Sequence, residues 1–140
     1  CLAVNDVGFS RIEKFQEEFP DRFFNFGVTE TSTMGILAGM ALSGLRPIHF
    51  TMIPFTIFRP FELLRNAVCH QNAPVIMAGI TGSQHFSMLG VSHNPIPDDE
   101  DVKVIKHLPN IKIFLPKTQQ ETEQCVHEAL KHDGPSYIRL

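Results

Sequence analysis

No apolar run in this sequence approaches the roughly 20 residues needed to span a bilayer as a helix. No charged-then-apolar leader opens it, so neither a membrane partner nor a secretory signal is expected. Cysteine is scarce: Cys1, Cys69 and Cys125 are odd in number and share no CxxC spacing, which excludes a disulfide framework and points to a reduced, cytoplasmic setting. Positive charge is not in excess, because the formal net charge is -3 at pH 7 and Lys and Arg are scattered rather than striped, so no nucleic acid partner is expected. Absent too are a Walker loop, GxGxxG, HExxH and zinc-like Cys/His spacing, which leaves nucleotide hydrolysis and metal catalysis without support. Internal repeats and low-complexity tracts are missing.

What is present is alternation. At 140 residues the chain fits one domain, residues 1–140, large enough to bury a core without staples. Apolar β-rich runs alternate with amphipathic stretches, the pattern of βα repeats around a parallel sheet. Strands are expected near 2–5, 23–28, 46–52, 74–80, 111–115 and 136–140, and helices near 8–18, 31–44, 56–71, 98–107 and 118–132. The architecture expected is three-layer α/β/α with a mostly parallel six-stranded sheet. In the last helix Thr118 and Glu121 form a T-x-x-E capping box, Val126, Ala129 and Leu130 make a buried stripe, and Asp133-Gly134 stops it. Pro97 with Asp98, Asp99 and Glu100 starts another helix, and their charges read as a solvated face. His127 and His132, near a helix end, are expected to face solvent.

Two places invite chemistry. Glu30 ends the strand-like Phe23-Phe24-Asn25-Phe26-Gly27-Val28 and opens a Gly- and Ala-rich helix, which sets a carboxylate at a strand's carboxyl end, where open α/β sheets place ligands. An acid complementing the helix dipole is the plainer reading of the same position. The segment from Thr81 to Pro95, with Gly82, His85, Gly90 and His93, has little periodicity, and a long loop after a strand in such a fold is usually functional.

The stretch Pro20-Asp21-Arg22-Phe23-Phe24-Asn25-Phe26-Gly27-Val28-Thr29-Glu30, continued by Gly35-Ile36-Leu37-Ala38-Gly39-Met40-Ala41-Leu42-Ser43-Gly44-Leu45-Arg46-Pro47, resembles the pyrimidine-binding domain of the transketolase family of thiamine-diphosphate enzymes. The likeness runs to the closing His132-Asp133-Gly134-Pro135-Ser136-Tyr137-Ile138-Arg139-Leu140. It implies a thiamine-diphosphate-binding fold and two-carbon ketol transfer from a ketose to an aldehyde. Glu30 would then hydrogen-bond the cofactor's aminopyrimidine and favour the imino tautomer that deprotonates the thiazolium carbon. Phe55 would stack on the aminopyrimidine, Phe58 would line the same pocket, and His93 would contact an oxygen of a sugar-like donor. The Gly35-x-x-x-Gly39 helix would lie at a subunit interface of a homo- or hetero-oligomer.

Departures from the family pattern bear on the substrate. Met88-Leu89-Gly90-Val91-Ser92-His93 stands where relatives carry an acidic-Asp-Gly-Pro-Thr-His run, so Leu89 cannot read a sugar hydroxyl. Thr81 replaces a phosphate-binding histidine, with His85 nearby, and Thr31 stands where Gln or His is usual. The Gly-Asp-Gly and following Asn that hold Mg²⁺ and the diphosphate in relatives are missing, so that half is expected from another domain or subunit. Both ends, Cys1 and Leu140, read as cut from something longer. Alternatives within the resemblance are a deoxyxylulose-phosphate-synthase-like enzyme and a 2-oxoacid-dehydrogenase β-like one. From another class comes a non-catalytic assembly or regulatory subunit of the same fold.

Overall fold

The computed structural model describes residues 1–7, 11–81 and 87–140. Among them six strands form one sheet: β1 (Leu2–Val4), β2 (Phe23–Asn25), β3 (Ile48–Met52), β4 (Ile76–Ile80), β5 (Lys112–Phe114) and β6 (Ser136–Arg139). Their order is β2-β1-β3-β4-β6-β5, and every pairing is parallel, beyond the mostly parallel sheet the sequence implied. The run expected as strand over 23–28 stops at Asn25 because Gly27 turns the chain with φ 64°, a conformation that glycine adopts without a Cβ penalty.

The helices are α1 (Glu13–Glu18), α2 (Glu30–Leu42), α3 (Ile53–Thr56), α4 (Phe61–Leu63), which runs into a π-helical stretch Leu64–Cys69, α5 (Glu100–Ile105) and α6 (Gln119–Lys131). Of the helix expected over 8–18, residues 8–10 lie outside those described. The continuous helix expected over 56–71 is broken instead. Pro60 has no N–H to continue the ladder, α3 ends early, and Arg59 N–H reaches back to Pro54 O at 3.0 Å. Past the break the wide winding persists, with His70 N–H on Arg65 O at 3.0 Å and Ala73 N–H on Val68 O at 2.9 Å. π-type turns of this kind concentrate at functional sites.

Register places Ala3, His49, Met77 and Tyr137 side by side across four strands, all fully buried on one face. Met34, Leu37, Ala38 and Ala41 of α2, Leu64, Val68 and Cys69 of the π stretch, and Ile105 of α5 close over them. Each fully buried Leu or Ile of this layer contributes about 1.5–3 kcal/mol of burial free energy. On the other face Ile76, Phe114 and Ile138 pack against Cys125, Val126 and Ala129 of α6. Of the stripe expected on α6, Ala129 is buried and Val126 half-buried, while Leu130 is exposed. The capping box forms with Glu121 N–H donating to Thr118 Oγ1 at 3.1 Å, although the Glu121 carboxylate accepts from Lys117 N–H rather than from Thr118. His127 faces solvent as expected; His132 does not, since its ring is half-buried and its Nε2 enclosed beside Gly134. No helix among the described residues is long and apolar enough to cross a membrane.

Candidate active site

The chain reverses its direction of winding at β1, which has β2 on one side and β3 on the other, and the crevice beyond the carboxyl ends of these strands is where such sheets bind ligands. The four segments leaving β1, β2, β3 and β4 bring Asn5, Glu30, Phe55 and His93 there. Glu30 is the first residue of α2, where the helix dipole favours a carboxylate. It is nonetheless buried, with 6% of its side chain exposed, and burial of a carboxylate is costly unless a partner compensates it.

That partner is Arg59. Its Nη1 donates to Glu30 Oε1 at 2.6 Å, while its guanidinium lies over the Phe55 ring, Cζ 3.9 Å from the centroid. Phe55 in turn meets His93 edge-on, ring centroids 5.0 Å apart. Three of the residues singled out from the sequence, Glu30, Phe55 and His93, therefore belong to one chain of contacts, joined by a fourth that was not. Phe58 packs against the core rather than in this chain. Arg59 follows Phe55 by four residues, the spacing of one helical turn although α3 has ended at Thr56, and directly precedes Pro60, the helix breaker. Those two features were the available signal.

His93 is carried to Phe55 by a short 3₁₀ stretch, Ser87–Ser92, kinked at Gly90 with φ 62° and ψ -155°, a region essentially confined to glycine. Gly90 O accepts three hydrogen bonds, from His93 N–H at 3.2 Å, Asn94 N–H at 3.1 Å and Asn94 Nδ2 at 3.0 Å. Ser92 Oγ lies 2.8 Å from His93 Nδ1, which leaves Nε2 as the ring nitrogen free of that contact. Leu89 is 42% exposed and Thr81 half-buried, with Thr81 N–H bonded to Leu140 O at 2.9 Å. His85 lies outside the described residues.

Behind the site runs a buried neutral network that the sequence did not announce. His49 Nε2 is 2.7 Å from Asn5 Oδ1 and its Nδ1 is 3.0 Å from Thr56 Oγ1. Asn5 Nδ2 donates to Gly27 O at 2.6 Å and to Thr33 Oγ1 at 3.0 Å. The network ties β1, the turn before Glu30, α2 and α3 together, so Glu30 and Phe55 are held from behind by one set of bonds. Burial pushes the His49 pKa down to about 4, which keeps the ring neutral and able to donate once and accept once.

A second buried carboxylate lies on the same sheet face, past β6. Asp101, fully buried, accepts from Tyr137 Oη at 2.5 Å and from Arg139 Nε at 3.1 Å, and Arg139 Nη2 also pairs with Asp98 at 2.9 Å. Burial, together with the hydrogen bond to Asp101, holds the Tyr137 hydroxyl far above its ordinary pKa. No group of three or more His, Cys, Asp or Glu able to hold a metal is found among the described residues.

The fold and the site together define an open parallel α/β domain whose crevice offers a buried carboxylate beside an aromatic face. The family model for the transketolase pyrimidine-binding domain matches residues 5–140. The chain belongs to that family, as its pyrimidine-binding domain. It is 35% identical over 139 residues to an apulose-4-phosphate transketolase subunit of Actinobacillus succinogenes, covering 99% of this chain and 44% of that protein. To the 1-deoxy-D-xylulose-5-phosphate synthase of Bacillus cereus strain AH820 it is 35% identical over 131 residues, 93% of this chain and 20% of that one. Among solved structures, a split gene transketolase described as an inactive beta4 tetramer superposes with a TM-score of 0.81 at 35% identity, covering 99% of this chain and 44% of that one. The transketolase of Leishmania mexicana superposes equally well, TM-score 0.81, but at 22% identity it speaks for the fold alone. This chain spans less than half the length of these relatives. Family membership implies thiamine diphosphate as the cofactor.

Proposed function

We propose that this chain supplies the pyrimidine-binding half of a thiamine-diphosphate-dependent enzyme that transfers a two-carbon ketol unit from a small sugar-like ketose to an aldehyde. The observation that carries the reading is the seat made by Glu30 and Phe55: a buried carboxylate oxygen 2.6 Å from a planar N–H donor that stacks at 3.9 Å on an aromatic face. A flat, hydrogen-bonding aminopyrimidine fits those two contacts. When bound, thiamine diphosphate would supply the carbon nucleophile needed for addition to carbonyl groups. Glu30 would hold a ring nitrogen by one short hydrogen bond, strengthened by the dry surroundings, and Phe55 would fix the ring plane. His93, its Nδ1 beside Ser92, would present Nε2 to a substrate oxygen.

Mg²⁺ and the diphosphate would be held by another domain or subunit, in keeping with the split-gene relative and with the apulose-4-phosphate transketolase, itself made of subunits. The outer side of α2 is suited to the joint between chains. Ile36 and Leu42 are 43% and 60% exposed, and a Cβ on Gly39 would meet nothing within 4 Å, so an apolar surface stands without a partner among the described residues. The assembly would be an oligomer working in the cytoplasm in carbohydrate metabolism. Met88, Leu89 and Val91, exposed on the stretch that carries His93, would offer a donor apolar rather than polar contacts, which argues for a donor different from a heavily hydroxylated sugar phosphate.

The experiment is to co-express the chain with a diphosphate-binding half and compare wild type with Glu30→Gln in thiamine-diphosphate binding and turnover with Mg²⁺. Turnover should fall by at least about 10²–10³-fold, the usual cost of losing a preorganised electrostatic contact. Full activity in the variant would overturn the reading, and cofactor binding without turnover in wild type would favour a non-catalytic subunit.

A further inference from the structure

Arg59 satisfies, from within the chain, both contacts that the proposed cofactor ring needs. Its guanidinium lies 3.9 Å from the centroid of Phe55, at stacking distance, and its Nη1 takes Glu30 Oε1 at 2.6 Å. One aromatic face cannot carry two planar groups. Resting on the reading above, we infer that Arg59 is a placeholder: it occupies the aminopyrimidine seat before the cofactor arrives, and its side chain must swing out for the ring to enter.

The surroundings permit that motion. The Arg59 side chain is 43% exposed, so the guanidinium can pass from the Phe55 face into solvent without crossing the core. The backbone, by contrast, is pinned: Thr31 Oγ1 donates to Arg59 O at 3.2 Å and Arg59 N–H donates to Pro54 O at 3.0 Å. The side chain can therefore leave while α3 and the first turn of α2 stay in place. The benefit of the arrangement lies in Glu30, because a buried carboxylate left alone in an empty pocket is expensive. Arg59 compensates it until a ring offering its own hydrogen bond takes over. Asp101 shows the contrast, since its arginine is clamped by a second carboxylate and only 19% exposed.

A placeholder makes cofactor entry slower and weaker than the empty seat would. In the assembled enzyme with Mg²⁺, thiamine-diphosphate binding would be followed by stopped-flow and calorimetry for wild type, Arg59→Ala, Arg59→Lys and, as an exposed control in the neighbouring π stretch, Arg65→Ala. Arg59→Ala should bind about tenfold faster and more tightly, a scale set by losing one cation–π and ion-pair competitor. The wild-type rate should also level off at high cofactor concentration, limited by side-chain release, and the variant's should not. Arg59→Lys, which keeps charge but not the flat stack, should fall between, and Arg65→Ala should match wild type. Unchanged or weakened binding in Arg59→Ala overturns the placeholder. If Glu30→Gln and Phe55→Ala nevertheless weaken binding, the site itself stands and only the placeholder is lost. If those two bind as wild type does, or nothing binds at all, both ideas are overturned.

Discussion

Two buried carboxylates in this molecule have the same kind of company and different fastening. Each is paired with an arginine, and an aromatic ring completes each group: Tyr137 by bonding Asp101 directly, Phe55 by carrying the arginine that bonds Glu30. Asp101 is held by a phenol hydroxyl and a guanidinium whose far end is tied to Asp98, so its pair is closed. Glu30 has a single hydrogen-bond partner among the described residues, and that partner rests on a ring with no hydroxyl. Burial and charge pairing alone therefore do not separate a functional carboxylate from a structural one. What separates them is whether the compensating cation can be exchanged for something else.

Stability tests this difference most directly. Asp101→Ala should destabilise the fold by about 3–5 kcal/mol, the cost of stranding the other members of a buried charged pair. Glu30→Gln should cost about 1 kcal/mol or less, because Arg59 can turn to solvent. Denaturant unfolding of each variant measures both. Equal losses would mean that Glu30 is as structural as Asp101 and would erase the comparison.

Next in size is the pH response of the network behind Glu30. His49 has a folded pKa near 4, against the ordinary 6.5 that the unfolded chain regains. The unfolded state thus binds the extra proton first as pH falls. The contribution of His49 is complete above about pH 6.5 and is lost on the way down to about pH 4, a total of about 3 kcal/mol. Unfolding free energy measured across that window should slope downward in wild type, and the slope should be shallower in His49→Gln by that amount. Parallel slopes would show that His49 is not kept neutral by its burial.

The general form of the fold was legible because its signals are local: the alternation of apolar runs and the capping box at Thr118 each act within a few residues, whereas the turn at Gly27 was passed over and the strand before it drawn too long. Glu30 and the loop that carries His93 stood out by position, and Phe55 and the roles of all three came through the resemblance. Arg59 was not, because the apolar periodicity of 56–71 suggested one helix on which an arginine reads as a solvated face, and the backbone instead breaks at Pro60. The Asn5–His49–Thr56 network was invisible for another reason. Its members come from the end of β1, from β3 and from α3, and only the sheet order brings Asn5 and His49 within 2.7 Å. The Asp101 cluster is similar: the solvated reading covers Asp98, Asp99 and Glu100, while Asp101, the next residue and one the sequence did not single out, points inward to Tyr137 and Arg139, both on β6.

The smallest effect concerns how Glu30 and Arg59 are kept in register. Thr31, the residue after Glu30, donates its hydroxyl to Arg59 O at 3.2 Å, so the two segments are joined by a backbone tether as well as by the side-chain pair. The tether is exposed, and an exposed neutral hydrogen bond exchanges with water at little net gain. Thr31→Val keeps the β-branched shape and removes only the donor, so stability should change by about 0.5 kcal/mol. Adding Glu30→Gln to it gives a double-mutant cycle whose coupling energy reports whether the two links act together. A coupling near zero is expected if the side chain of Arg59 moves independently of its backbone, as exchange of the cation requires. A coupling as large as about 1 kcal/mol would mean that pair and tether form one rigid unit, and Glu30 would then be fastened as firmly as Asp101.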